Sequence, residues 1–192
     1  PHIGYEKLGD AVGAIEARVT LASTNTVTNL YIPDVDFSSH VAGTASPMAQ
    51  AAAAGVDRAL ASLAKALPRG AKIVMTADHG LVDYTADEVY AITPSDPLMG
   101  YVEHEPWGTG RTLTFACKPG SEVEFAGQFR ERFGEGFYLL TIEELTELEL
   151  YGPGPMSPVT VRRLGTHMAI SRGAWLLDYD YPKVRHEPQE EH

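Results

Sequence analysis

The sequence predicts an α/β protein: a parallel βαβ unit near its start, with an α+β subdomain inserted at 85–158. Three observations carry that expectation. Residues 26–32, TVTNLYI, are rich in β-branched and aromatic residues and stop at Pro33, the composition of a strand. Residues 71–82, AKIVMTADHGLV, contain the run Ile73-Val74-Met75, too short for helical periodicity and typical of a buried parallel strand. Between them, residues 46–67 repeat apolar positions at helical spacing. Strand, helix and strand in that order make a βαβ unit, which places the loops after both strands at one edge of the sheet.

The elements follow in chain order. Residues 5–19 have Leu8, Val12, Ile15 and Val19 near helical spacing, weakened by Gly9 and Gly13. After the 26–32 strand comes a polar loop, 33–40, with two acids and a histidine. Ser46 caps the long helix, Pro47 takes its first position, and Pro68 with Gly70 ends it. Val56, Leu60, Leu63 and Leu67 form its apolar stripe, and the alanines at 51–54 make a slim face suited to close packing on a sheet. Within the insertion, strands are expected at 87–92, 112–117 and 137–140. A helix capped by Ser121 carries Phe125, Phe129 and Phe133 on one face. Thr141 and Glu144 form a capping box that opens another helix, ending near Tyr151-Gly152. A Pro/Gly-rich connector at 152–158 leads to a hairpin of 159–170 with 174–179.

Bulk properties limit the function. With 44% hydrophobic residues the chain has enough apolar content for a real core. Fifteen basic against 26 acidic residues leave a net charge of −11, which argues against coating nucleic acid. An anionic substrate remains compatible, because a bound divalent ion can be the largest local charge in a site. The single cysteine, Cys117, excludes an internal disulfide framework and a cysteine-based zinc cage. No apolar run reaches the ~20 residues of a membrane span, and nothing resembles a secretory leader. The chain is expected to be part of a longer protein; its composition names no compartment.

Two acid–histidine pairs stand out. Asp36 and His40 are four apart, so one helical turn puts both side chains on one face. Asp78 and His79 are adjacent, and Gly80 after them allows the turn that lets both converge on one ligand. Imidazole with carboxylate suits zinc, manganese or iron better than calcium or magnesium, which prefer oxygen shells. Two half-sites at one sheet edge suit a pair of metals about 3.5–4 Å apart, the arrangement that clamps attacking and leaving oxygens in phosphoryl displacement. Other polar residues read as ordinary structure. Asp34 is a turn acid, His104-Glu105 a surface pair and Cys117 a core residue, while Ser38 and Ser39 carry no mark of an activated nucleophile. His167 stands between ligand and hydrogen-bonded strand histidine, and Arg162-Arg163 between phosphate site and surface basic pair.

The order YIPDVDFSSHVAG at 31–43, a helix, then Thr76-Ala77-Asp78-His79-Gly80 resembles the alkaline phosphatase superfamily. Within it, the chain is similar to the type I phosphodiesterase and nucleotide pyrophosphatase group. There, one loop carries Asp-x-x-x-His with a glycine soon after, and a later strand ends in Asp-His-Gly. The resemblance covers 31–82 well, and Arg163-Leu164-Gly165 with the following strands resembles late core strands of that fold. It implies a partial alkaline-phosphatase-like domain over 1–192, a three-layer sheet flanked by helices and incomplete in this chain, and two divalent ions, zinc with manganese as the alternative. Asp36 and His40 would hold one ion, Asp78 and His79 the other. It also implies a Thr or Ser nucleophile that forms a covalent phosphoryl or nucleotidyl intermediate. The family places that nucleophile well upstream of the Asp-x-x-x-His loop, and no such segment precedes Tyr31 here. No catalytic residue is therefore assigned in this chain, and the last histidine ligand is His167 or a residue beyond position 192. The implied parent is a metal-dependent phosphoesterase acting on a small phosphorylated substrate such as a nucleotide or phosphodiester, with this chain inactive alone. The alternatives are an inert metal-binding or interaction module, and another superfamily hydrolase such as a sulfatase or phosphonate hydrolase.

Overall fold

A computed structural model of the chain describes residues 2–181. It divides into two compact units, Pro1–Asp83 and Tyr84–His192.

The first unit is built from three helices. α1 (Leu8–Leu21) buries Ala11 and Val12 despite its glycines. α2 spans Asp34–Ala42 and α3 spans Pro47–Ala66. The start of α3 is as the sequence implies: the Ser46 hydroxyl accepts the Ala49 N–H at 3.1 Å and Pro47 follows the cap. α3 packs against both α1 and α2, with Leu63 and Ala49 buried. α2 lies where a polar loop is expected. Its first turn carries Asp34 and Asp36, which complement the positive end of the helix dipole, and Ser39 donates back to the Val35 carbonyl at 2.7 Å. The acidic first turn favours a helix over the loop expected from the polar composition, and the back-bond satisfies the buried Ser39 hydroxyl.

The two expected strands of this unit do not form ladders. Residues 26–32 and 71–82 have no β partner among the described residues. Val27 is fully exposed and Val74 is 88% exposed. Apolar, β-branched composition marks a segment suited to a sheet, but a strand exists only when a neighbour's backbone accepts its hydrogen bonds.

The second unit contains the larger core. A four-stranded antiparallel sheet runs in the order β2 (Trp107–Thr109), β3 (Thr112–Phe115), β5 (His167–Ser171), β4 (Phe137–Thr141). α4 (Glu122–Phe133) lays Phe125, Phe129 and Phe133 on the core side, as the four-residue spacing requires. The Phe129 ring centroid stands 5.7 Å from Phe115, 6.0 Å from Phe125 and 5.1 Å from Phe133. Ser121 precedes α4 but does not cap it; its hydroxyl donates to the Tyr101 and Lys118 carbonyls instead. The Thr141–Glu144 capping box is present, and α5 (Ile142–Glu147) ends sooner than the sequence suggests.

The hairpin expected from 159–170 and 174–179 is replaced by a different connection. Ser157 caps a short helix, α6 (Pro158–Arg163), so β5 starts only at His167. β5 is then paired on both sides, by β3 and β4, which leaves it no free edge. β6 (Leu176–Tyr179) instead runs parallel to β1 (Val89–Ile92), with Val89 opposite Leu176. Among the described residues no helix is long and apolar enough to cross a membrane.

Candidate metal centre

α2 brings Asp36 and His40 together. One turn of helix places the His40 Nε2 3.4 Å from the Asp36 Oδ1, short of hydrogen-bond geometry. That carboxylate oxygen is buried without a hydrogen-bond partner among the described residues. A buried, unpaired carboxylate oxygen is costly unless something completes it. Gly43 ends α2 at φ +89°, and its N–H closes the last turn on the Ser39 carbonyl.

The second pair is held by its own backbone. The His79 N–H donates to the Asp78 Oδ1 at 3.1 Å, and the His79 Nδ1 lies 3.1 Å from the Gly80 carbonyl. A carbonyl only accepts, so Nδ1 is the donor in this contact, and Nε2 is the nitrogen left to face a metal. That Nε2 stands 3.7 Å from the Asp78 Oδ2. Two ligands at ~2.0–2.1 Å from a tetrahedral zinc are themselves ~3.3–3.4 Å apart, so both pairs have close to the bite that one ion needs. The donor chemistry and spacing fit a divalent metal. Each pair offers two ligands: among the described residues no group of three or more His, Cys, Asp or Glu side chains lies close enough to hold an ion.

The other polar residues noted in the sequence take structural places. Ser39 is buried and bonded within α2, and Ser38 is buried on the same helix. His104 lies against Trp107, with ring centroids 4.9 Å apart, and its Nδ1 meets the Glu105 carbonyl at 2.9 Å. Cys117 is buried, as a core residue should be, and burial pushes its thiol pKa up. Arg162 and Arg163 are exposed in the last turn of α6. His167 is only 4% exposed, with Nδ1 3.0 Å from the Thr166 Oγ1 and 3.5 Å from the Cys117 Sγ. Burial, then the Arg130 charge, holds its pKa below the ordinary imidazole value. It lines a cavity of about 610 Å³ with Glu122, Arg130, Glu143 and Thr166. Sequence reasoning missed one polar residue of the first unit, Asp83, whose carboxylate binds Thr44. Nothing in the local sequence distinguishes it from an ordinary loop acid.

Residues 5–126 match the sequence profile of the type I phosphodiesterase / nucleotide pyrophosphatase family. The chain belongs to that family. The match contains both acid–histidine pairs and places the chain in the alkaline phosphatase superfamily, whose members of this group are in general divalent-metal dependent. Among solved structures, murine ectonucleotide pyrophosphatase/phosphodiesterase 5 is similar at 20% identity and a TM-score of 0.68, over 94% of this chain and 47% of that one. An inactive variant of the same murine protein, in complex with AMP, is similar at 18% identity and a TM-score of 0.62, over 93% of this chain and 46% of that one. The likeness is one of fold: mixed α/β, an incomplete alkaline-phosphatase-like arrangement. The chain spans about half the length of the solved structures it matches. No match was found among curated protein sequences.

Proposed function

We propose that the intact protein is a metal-dependent phosphoesterase of the phosphodiesterase/nucleotide pyrophosphatase type. In this reading Asp36 and His40 hold one divalent ion and Asp78 and His79 the other, zinc by donor set, with manganese the alternative. The observation that supports it most is the shared geometry of the pairs, an imidazole Nε2 facing a carboxylate oxygen at 3.4 and 3.7 Å. When bound, such ions supply Lewis acidity and a lowered pKa for an attacking hydroxyl. This chain's own residues orient the ligands: the helical turn of α2 aligns Asp36 with His40, and the Gly80 carbonyl engages the His79 Nδ1 and leaves Nε2 to face a metal. The nucleophile, a Thr or Ser by family resemblance, is assigned outside this chain. The proposed substrate is a small phosphorylated molecule such as a nucleotide or phosphodiester, a reading supported by the murine neighbour solved with AMP. The inserted subdomain at 85–158 belongs to the same proposal; its start adjoins the division between Asp83 and Tyr84.

A second reading, a metal-binding module without turnover, is favoured by the two-ligand character of each pair. It describes this chain in isolation, where half-complete coordination shells bind metal weakly. The decisive experiment uses the intact protein. Asp78→Asn should abolish hydrolysis of a chromogenic phosphodiester with the fold unchanged by circular dichroism, and metal analysis should find about two ions per chain. Near-normal turnover of the variant, or no metal after careful loading, would refute the assignment.

A further inference from the structure

One contact joins the stretches that carry the two pairs. Four residues beyond His40, the Thr44 N–H donates to the Asp83 Oδ1 at 2.9 Å and Oδ2 at 3.2 Å, and the Thr44 hydroxyl donates to Oδ2 at 2.8 Å. Asp83 itself stands four residues beyond His79. The backbone N–H first, then the hydroxyl, holds the Asp83 carboxyl below the usual carboxylate range. Gly43, the residue before Thr44, sits at φ +89°, a backbone conformation that favours glycine; an added Cβ would make only an ordinary contact, 3.6 Å, with the Asp83 Oδ1. Other hydrogen bonds of 71–83 are local: Ala71 to the Pro68 carbonyl, Thr76 to the Ala77 carbonyl, and those of Asp78, His79 and Gly80. Among the described residues, the Asp83–Thr44 contact alone hydrogen-bonds this unpaired segment to the α2–α3 region.

We propose that Asp83 is a positioning residue whose grip on Thr44 sets the separation between the Asp36–His40 and Asp78–His79 pairs. The proposal rests on the metal reading above and goes beyond it by naming what holds the half-sites in register. The reach is short on both sides. Thr44 lies just past the C-terminal turn that carries His40, and four residues of chain from Asp83 to His79 span at most ~14 Å. Without the clamp, Asp78 and His79 hang on a segment that no ladder among the described residues fixes, whereas a two-metal site needs its ions ~3.5–4 Å apart.

The test compares the intact wild-type protein with Asp83→Ala, Asp83→Asn, Thr44→Val and the Asp83→Ala/Thr44→Val double variant. Zinc binding is read by calorimetry, protection of the Thr44 amide by hydrogen exchange, and folding by the urea midpoint. Asp83→Ala should lose Thr44 protection and weaken zinc binding by about tenfold, the low end for outer-shell partners of metal ligands, because Asp83 acts through Thr44 and touches no ligand itself. Thr44→Val keeps the N–H donor and should lose less. The double variant should be no worse than Asp83→Ala alone, because both remove one interaction. Asp83→Asn retains one acceptor oxygen and should recover part of the affinity. A purely structural role would move the urea midpoint and leave the zinc affinity of the folded protein unchanged. Unaltered Thr44 exchange in Asp83→Ala overturns the clamp whatever the metals do. Lost protection with unaltered zinc affinity overturns the positioning role. A wild-type protein that takes up no zinc overturns the metal reading and the positioning role with it, while the exchange data still score the clamp. If Asp83→Ala does not fold, Thr44→Val carries the comparison: zinc affinity equal to wild type overturns the proposal.

Discussion

His40→Ala tests the first half-site through stability rather than turnover. The ring is largely exposed, 70% for the side chain, so its removal opens no cavity, and the metal-free protein should change by no more than about 0.5 kcal/mol. The effect should appear on adding zinc. An ion bound by the folded state alone adds RT ln(1 + [L]/Kd), about 2.7 kcal/mol at free zinc a hundredfold above Kd. The variant leaves the Asp36 carboxylate without the Nε2 that faces it at 3.4 Å, and so without a chelate. A site weakened a hundredfold retains only about 0.4 kcal/mol at the same zinc concentration. Urea unfolding of the intact protein, with and without buffered zinc, measures both increments. Acidification should shrink the wild-type increment, because imidazole and carboxylate bind metal only when deprotonated. Full zinc stabilisation of His40→Ala would show that the ion sits elsewhere.

Two further predictions concern the second unit. Phe129→Ala removes a fully buried ring packed against Phe115, Phe125 and Phe133, and should cost about 3–5 kcal/mol by denaturant unfolding; a cost below about 1 kcal/mol would contradict the packing. For His167 the sign of the pH effect follows from its depressed folded pKa: the unfolded imidazole takes up a proton first as pH falls below 6.5. Stability should therefore decline from that pH downward until the folded ring itself protonates, and His167→Gln should flatten the slope in urea titrations at stepped pH.

What was legible in the sequence had local causes. Ser46-Pro47 starts α3 because the cap and the fixed proline φ act within one turn. The Thr141–Glu144 box and the Phe125, Phe129, Phe133 face are equally short-range, set by helical periodicity. The acid–histidine spacing was readable for the same reason, since i and i+4 meet on any helix. Strand pairing was not readable. Residues 26–32 and 71–82 have strand composition but no partner among the described residues, and β6 pairs parallel with β1 rather than folding back on β5. A ladder requires two distant backbones, and the competition for β5 is decided by β4, about thirty residues away in sequence, and β3, more than fifty away. Asp83 shows the same division. Its sequence context is that of a loop acid, and only the folded chain brings the Thr44 N–H and hydroxyl within 2.8–3.2 Å of its carboxylate. Short-range signals were enough for the starts of α3 and α5, the aromatic face of α4 and the approach of Asp36 to His40, because each depends on neighbours one turn away. Only the tertiary structure shows which strands pair and that Thr44 meets Asp83, because those contacts depend on where distant segments come together.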